Sequence, residues 1–357
     1  MKLGVAALFL FASDALLGQN DEVKRKFFAD VHAALALKPG ALVADIGSGD
    51  DPLHALSILS VIGANGRVVC VDTDAGALNK LKGKLPSGTM NIEVQLGKVD
   101  DPLLPPGAFD AVLISNAYHE MTRYQTVLAH IRQALKPDAR LVVIESIDET
   151  RRQSDRNEQV KHHELSPERV EDELRASGFQ VLNHIEPLVK SDDTSVRFLI
   201  AAQPDPWMSL RVLEGRWEGD ANGTPGKGVT SREYRFELNS HFLTGRNKSV
   251  YEPKSPTENA EVHEDLAMFS YDRALKKIVL RQFHKEGFVN EYTLDSVRAD
   301  GRLLEFVTVR IENIPPGWRA KEVYRILSSD EWFETSFLAP PGKDFEIYSE
   351  AHLKRTK

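Results

Sequence analysis

The feature that most constrains this chain is a change of rhythm near residue 204. Before it, apolar strand-like runs alternate with single helical segments; after it, the helical period disappears. The first part opens with "EVKRKFFADVHAALAL", where Val23, Phe27, Val31 and Leu35 share one helical stripe. Strand-like runs follow at 41–47, 67–72, 91–97, 109–115, 140–146, 179–188 and 196–203. Helices are predicted between most of them, at 52–63, 75–85, 123–135 and 166–178. Strands parted by single helices need crossover connections, which build a parallel sheet covered on both faces. Only "VKSDDTS" joins the last two strands, too short for a crossover, so the seventh strand is expected to run antiparallel to its neighbours.

After "QPDPW" (203–207) come short alternating runs parted by Gly, Pro, Asn and Asp, beginning with "GRWEG" (215–219) and ending with "DFEIYSEAHLKR" (344–355). Ten such runs with no convincing helix predict a closed antiparallel barrel or a sandwich. The fold class expected is therefore a seven-stranded α/β sheet followed by a ten-stranded antiparallel β-barrel. The domains are placed at 21–204 and 205–357, with residues 1–20 set apart.

Composition narrows the function. At 357 residues the chain can bury two ordinary cores. A net charge of −8 without a Lys/Arg block gives no footprint for nucleic acid. A single cysteine, Cys70, rules out a disulfide framework and any thiol-cluster metal site. Residues 1–20 hold one Lys, an apolar run from Leu3 to Ala12 and then small residues, the outline of a secretory signal peptide. The run is too short to span a membrane as a helix. The expected location is periplasmic or secreted, without stable membrane insertion after processing; a packed N-terminal helix on a cytoplasmic protein is the alternative.

The chemistry concentrates in "VADIGSGDDPLHALSIL" (43–59), an apolar strand that breaks into Gly-Ser-Gly and then becomes helical. Such a turn presents backbone N–H groups and a helix N-terminus at the carboxyl edge of the sheet, where ligands of α/β proteins bind. A dinucleotide fingerprint would need Gly at 52, where Pro stands, and Asp50 and Asp51 would repel a pyrophosphate. A cationic ligand with a ribose suits these carboxylates better, and S-adenosylmethionine (SAM) is one.

On these residues, 24–204 resembles the class I SAM-dependent methyltransferases. Asp45, Gly47, Ser48 and Gly49 match the family's glycine motif, with Asp51 in place of its third glycine. The resemblance implies that Asp72, ending the second strand, holds both ribose hydroxyls. It also implies an adenine-edge residue, for which Asp100 is the candidate because Lys98 occupies the usual acidic position. The expected cofactor is SAM and the expected partner a small-molecule substrate. "ISNAYHEMTRY" leaves the fourth strand where the transferable methyl would sit, making Asn116, Tyr118, His119 and Glu120 the polar candidates. Asn116 is assigned to the cofactor and Tyr118 and His119 to catalysis, with His119 as base if the acceptor must lose a proton. His162 and His163 follow the fifth strand in a loop that could close over the substrate. No metal site is expected, since "HEM", "HHEL" and "HED" lack the spacing of a known ligand motif.

Residues 207–357 resemble the small ligand-binding barrels, the fatty-acid-binding and nitrobindin-like group. "GRWEG" opens the region, with Trp217 expected to close one barrel end. The resemblance implies a small apolar ligand, lipid or haem, inside. His284 is the inward histidine by strand parity, while His352 is expected to face outward. Two functions remain: a methyltransferase acting on a small apolar molecule, whose barrel binds the substrate or another small ligand, or a ligand-binding (lipid or haem) protein with a vestigial methyltransferase fold.

Overall fold

The computed structural model describes residues 21–190, 194–255, 257, 259–298 and 301–356. The proposed signal peptide, 1–20, lies outside the described residues. The chain divides into two compact units between Asp205 and Pro206.

The first unit begins with α1 (Asp21–Ala34), β1 (Leu42–Ile46), α2 (Leu53–Ile62), β2 (Arg67–Asp72), α3 (Ala75–Lys84), β3 (Ile92–Leu96) and β4 (Phe109–Ser115). It continues with α4 (Tyr124–Ala134), β5 (Leu135–Asp148), α5 (Arg156–Lys161), α6 (Pro167–Ala176), β6 (Phe179–Lys190) and β7 (Ser195–Pro204). The strands form one sheet in the order β3-β2-β1-β4-β5-β7-β6. Strands β1 to β5 are parallel, and β7 inserts between β5 and β6 antiparallel to both. The short β6–β7 link thus has the predicted consequence.

Each face of the sheet is buried, which is why β1 and β4 read as continuous apolar runs rather than alternating ones. Ala44, Val112, Ile114 and Val143 pack with Leu128 of α4 and Leu174 of α6. On the other face, Val43, Leu113 and Val142 pack with Phe27 and Val31 of α1 and Ile58 of α2. Cys70 is buried there, and burial pushes its thiol far above the usual range, so it packs rather than reacts. Helix α5 was not predicted: its six residues are too short to show a period, and Asp155 starts it by accepting the Glu158 N–H.

The second unit is a closed barrel of ten antiparallel strands. These are β8 (Gly215–Gly223), β9 (Gly226–Glu237), β10 (Phe242–Tyr251), β11 (Glu261–Asp272), β12 (Lys277–His284), β13 (Val289–Val297), β14 (Leu303–Glu312), β15 (Arg319–Ser328), β16 (Glu331–Ala339) and β17 (Glu346–Arg355). Strand β17 pairs with β8, so no edge is left open. Trp217, Tyr234, Phe269, Phe306, Tyr324 and Trp332 fill its core. The Trp217 indole donates to the Leu213 carbonyl at 2.7 Å, and the Arg355 guanidinium lies 4.2 Å from its ring centroid. Leu353 is buried, whereas His352 is half-buried, stacked on Phe333 and paired with Glu331, so it faces outward as parity required. Ile347, which shares the parity of Leu353, is nevertheless 53% exposed; a register shift between Ser336 and Phe337 interrupts the alternation beside it.

Candidate active site

Strands β1, β2 and β4 end on the same edge of the sheet, and their following turns enclose a cleft of ≈ 320 Å³. Asp45, Gly47, Ser48, Gly49, Asp72 and Asn116 all line it. The glycines are there for steric reasons. Gly47 has φ +73°, and a Cβ on it would meet the Ala117 Cβ at 2.3 Å; Gly49 has φ +60°. Removing those two Cβ atoms lets the chain turn sharply against the β4 turn and leaves the cleft open.

Asp72 is the hub of the turn. Its Oδ2 accepts the Gly49 N–H and its Oδ1 the Asp74 N–H, both at 2.9 Å. Each carboxylate oxygen has further lone pairs, so ribose hydroxyls can add to these bonds without displacing them. Asp45 is buried, and burial followed by the charges of Asp72 and Asp51 raises its carboxyl to about 7. Asp51, in the place of the third glycine, turns its Oδ1 to the Leu53 N–H at 3.0 Å. That bond closes an Asx turn just before α2, and Asp50 lies 3.2 Å from the Lys84 ammonium. A cationic ligand would relieve the repulsion concentrated around Asp45, and a pyrophosphate would add to it.

Three of the predicted site residues are placed differently. Asp100 turns its carboxylate to Arg123 at 2.7 Å, because Lys98 and Asp101 pair in a tight turn that carries Asp100 at its tip. Lys98, Val99 and Pro102 form that wall of the cleft instead. Tyr118 is fully buried, its hydroxyl donates to Glu173 at 2.9 Å, and burial, reinforced by Glu173, holds its pKa far above the ordinary value. It is part of the core, not of the reacting surface. His119 is also buried, in the single 3₁₀ turn Tyr118–Glu120. Its Nδ1 lies 2.9 Å from Glu145 Oε2, and its backbone N–H donates to Glu145 Oε1 at 3.1 Å. Burial alone would lower the imidazole pKa, but the Glu145 hydrogen bond and charge outweigh it and raise the value. Glu120, rather than His119, faces the cleft.

Sequence reasoning missed two cleft residues. Arg197 on β7 and His54 on α2 line the wall together, and burial followed by the Arg197 charge lowers His54 to about 4. Arg197 arrives from β7, far along the chain, whereas His54 stands in the first turn of the helix that the 43–59 passage opens.

A family model described as a methyltransferase domain matches residues 43–138, the stretch that runs from β1 to the start of β5. That stretch of the first unit is a methyltransferase domain. The chain is 28% identical over 143 residues to the ubiquinone/menaquinone biosynthesis C-methyltransferase UbiE of Vibrio cholerae, covering 40% of this chain and 54% of that one. To the protein of the same description from Teredinibacter turnerae it is 29% identical over 143 residues, covering 40% and 56%. The chain thus spans about half the length of the curated relatives it matches. Among solved structures, it is similar to a SAM-dependent methyltransferase from Aquifex aeolicus, with TM-score 0.43, 22% identity, and 54% of this chain and 99% of that one covered. A second, from Mesorhizobium loti, has TM-score 0.42 and 17% identity, covering 53% and 99%. The methyltransferase domain implies SAM as cofactor, and the cleft residues fit it in charge and donor chemistry.

Proposed function

We propose that this protein transfers the methyl group of SAM to a small molecule that enters the cleft beside Asn116 and Glu120. The observation that carries the reading is the convergence of Asp45, Gly47, Gly49 and Asp72 on one cleft, with carboxylates where a sulfonium, an ammonium and a ribose need them. SAM supplies an activated methyl group in such a site. The protein's part is alignment: the Gly47–Gly49 turn and Asp72 hold the cofactor, and the β4 turn limits the approach of the acceptor. Carbon is the acceptor atom best supported, since the relatives are C-methyltransferases by name. Arg197 in the cleft wall would favour an acceptor, or a cofactor carboxylate, that carries negative charge.

Incubating the full chain with methyl-labelled SAM and, separately, a reduced quinone and a simple phenol tests this reading. Label in a product, with S-adenosylhomocysteine formed in equal amount, supports it. SAM bound but never turned over with any acceptor would favour the vestigial alternative.

For the barrel a different ligand is favoured from the apolar one expected. Arg232, Asn247, Asp265 and His284 are successive cross-strand neighbours on β9 to β12. Arg232 donates to Glu334 at 2.8 Å, Asn247 donates to Asp265 at 2.8 Å, and Glu322 is buried nearby. Asn247 Oδ1, Gln282 Oε1, Asn290 Oδ1 and Trp332 Nε1 are buried without a hydrogen-bond partner among the described residues. Such atoms call for water or a polar ligand. The barrel is therefore proposed to hold a small polar molecule, and native mass spectrometry of the full chain would reveal a retained mass; a fatty acid or haem found there would overturn it.

A further inference from the structure

The β4 turn carries a cluster that no sequence spacing announced. His119 and Glu120 sit in the 3₁₀ turn after β4, and His163 in the loop between α5 and α6. Glu120 Oε1 lies 3.8 Å from His119 Nε2 and 3.7 Å from His163 Nδ1. One donor atom from each residue falls within 4.8 Å of the others. The two rings meet nearly perpendicular, at 83° with centroids 5.6 Å apart, rather than stacked.

We propose that His119, Glu120 and His163 bind a divalent transition-metal ion at the rim of the methyltransferase cleft. The separations are close to what such an ion needs. With bonds of about 2.0–2.2 Å, tetrahedral ligand atoms stand about 3.3–3.6 Å apart, so small side-chain rotations close the site. A second, independent feature points the same way. Buried Glu145 engages Nδ1 of His119, which fixes the ring and directs the free Nε2 toward Glu120. Metal-binding histidines are held in this way, by a carboxylate on the other ring nitrogen. The donor set selects the ion. Two imidazoles and one carboxylate suit Zn²⁺, Fe²⁺, Co²⁺, Ni²⁺ or Mn²⁺, whereas Mg²⁺ and Ca²⁺ take oxygen ligands.

Three protein ligands leave coordination positions open, as in catalytic rather than structural sites. Glu120 and His163 are each half-exposed, and Glu120 also lines the cleft, so the open positions face solvent and the cleft mouth. An oxygen of the acceptor is the ligand that would occupy one of them. That last step rests on the SAM reading of the cleft; the ion-binding claim does not.

The test uses the full chain, stripped with a chelator and free of SAM, titrated with Co²⁺ followed by visible absorption and with Zn²⁺ followed by calorimetry. One ion per chain is expected, with the Co²⁺ spectrum of a site containing imidazole nitrogen. His163→Ala and Glu120→Gln should each weaken binding by tenfold or more, and Glu145→Gln by about 10–100-fold through the orientation of His119. His162→Ala, which alters the neighbouring histidine paired with Glu158, should leave it unchanged. His163 and Glu120 are exposed enough that their variants keep the fold, which circular dichroism checks. No stoichiometric binding, or equal binding by the Glu120→Gln/His163→Ala double variant, would overturn the site. Because SAM is absent, that failure would leave the cofactor reading standing, and a failure to bind SAM would leave the metal result standing.

Discussion

The cleft at the end of the parallel sheet and the interior of the barrel are both rich in carboxylates, but they compensate the charge to different degrees. In the cleft, the charges acting on Asp45 are those of two more carboxylates, Asp72 and Asp51, and its proton is held up to about 7. In the barrel, Glu334 has its own cation in Arg232, and Asn247 donates to Asp265. A site that leaves its carboxylates uncompensated is arranged for a ligand that brings positive charge. The barrel compensates its charge only in part, since burial and Glu334 raise Glu322 and burial raises Asp265 to about 6, and the orphaned amide and indole groups add further polar positions for a ligand. The same residue types thus support a cationic cofactor in one unit and a small polar ligand in the other.

The largest expected effect breaks the barrel side of this contrast. Glu334→Ala would leave Arg232, with a side chain only 10% exposed, without its carboxylate. Unfolding of the barrel should become easier by about 3–5 kcal/mol, while SAM affinity stays unchanged. A calorimetric scan beside a SAM titration checks both halves of the statement. Loss of SAM binding in this variant would contradict two separately stabilised units.

Next in size is Gly47→Val. It forces a side chain onto φ +73° against Ala117, and should cost about 2–4 kcal/mol in the first unit and abolish SAM binding. Chemical unfolding and SAM titration of the same preparation would show it. Retained affinity would mean that the turn does not shape the cleft.

The smallest effect is a pH dependence of the cleft, read as SAM affinity, which the barrel carboxylates do not enter. Protonating Asp45 removes a charge that favours the cationic cofactor, so SAM affinity should fall by up to tenfold per pH unit below about 7. Stability moves the other way. The carboxyl is raised in the folded chain, so its contribution is complete below the unfolded value near 4 and is lost as pH rises through about 7. Asp45→Asn should flatten both profiles, and titrations between pH 5.5 and 8 would show whether it does. Unaltered slopes in that variant would assign the dependence to another group.

The sequence made the architecture legible because its signals are local. The strand–Gly-Ser-Gly–helix passage at 43–59, the short link before β7 and the loss of helical period near 204 each report on neighbouring residues alone. The strand runs in the barrel matched for the same reason, since alternation is a property of each run. What escaped was set by distance in sequence. Arg197 reaches the cleft from β7, His163 reaches Glu120 from a loop forty-three residues on, and Glu145 reaches His119 from the next strand. Tyr118 and His119 read as reacting groups because they leave β4 beside the cleft. The single 3₁₀ turn there buries both and leaves Glu120 outward, and one turn of that kind has no sequence signature. The polar barrel interior was missed because its Arg232–Glu334 pair links strands a hundred and two residues apart.

The central claim is that Asp72 and the glycine turn form a SAM site, and calorimetry of SAM binding to the full chain and to Asp72→Ala tests it most directly. Asp72 holds the Gly49 and Asp74 amides at 2.9 Å and is the acceptor available to ribose hydroxyls. Wild-type protein should bind one SAM per chain, and the variant should lose about 1.5–3 kcal/mol, a weakening of roughly tenfold to more than a hundredfold. No binding by the wild type, or equal binding by the two proteins, would contradict the account.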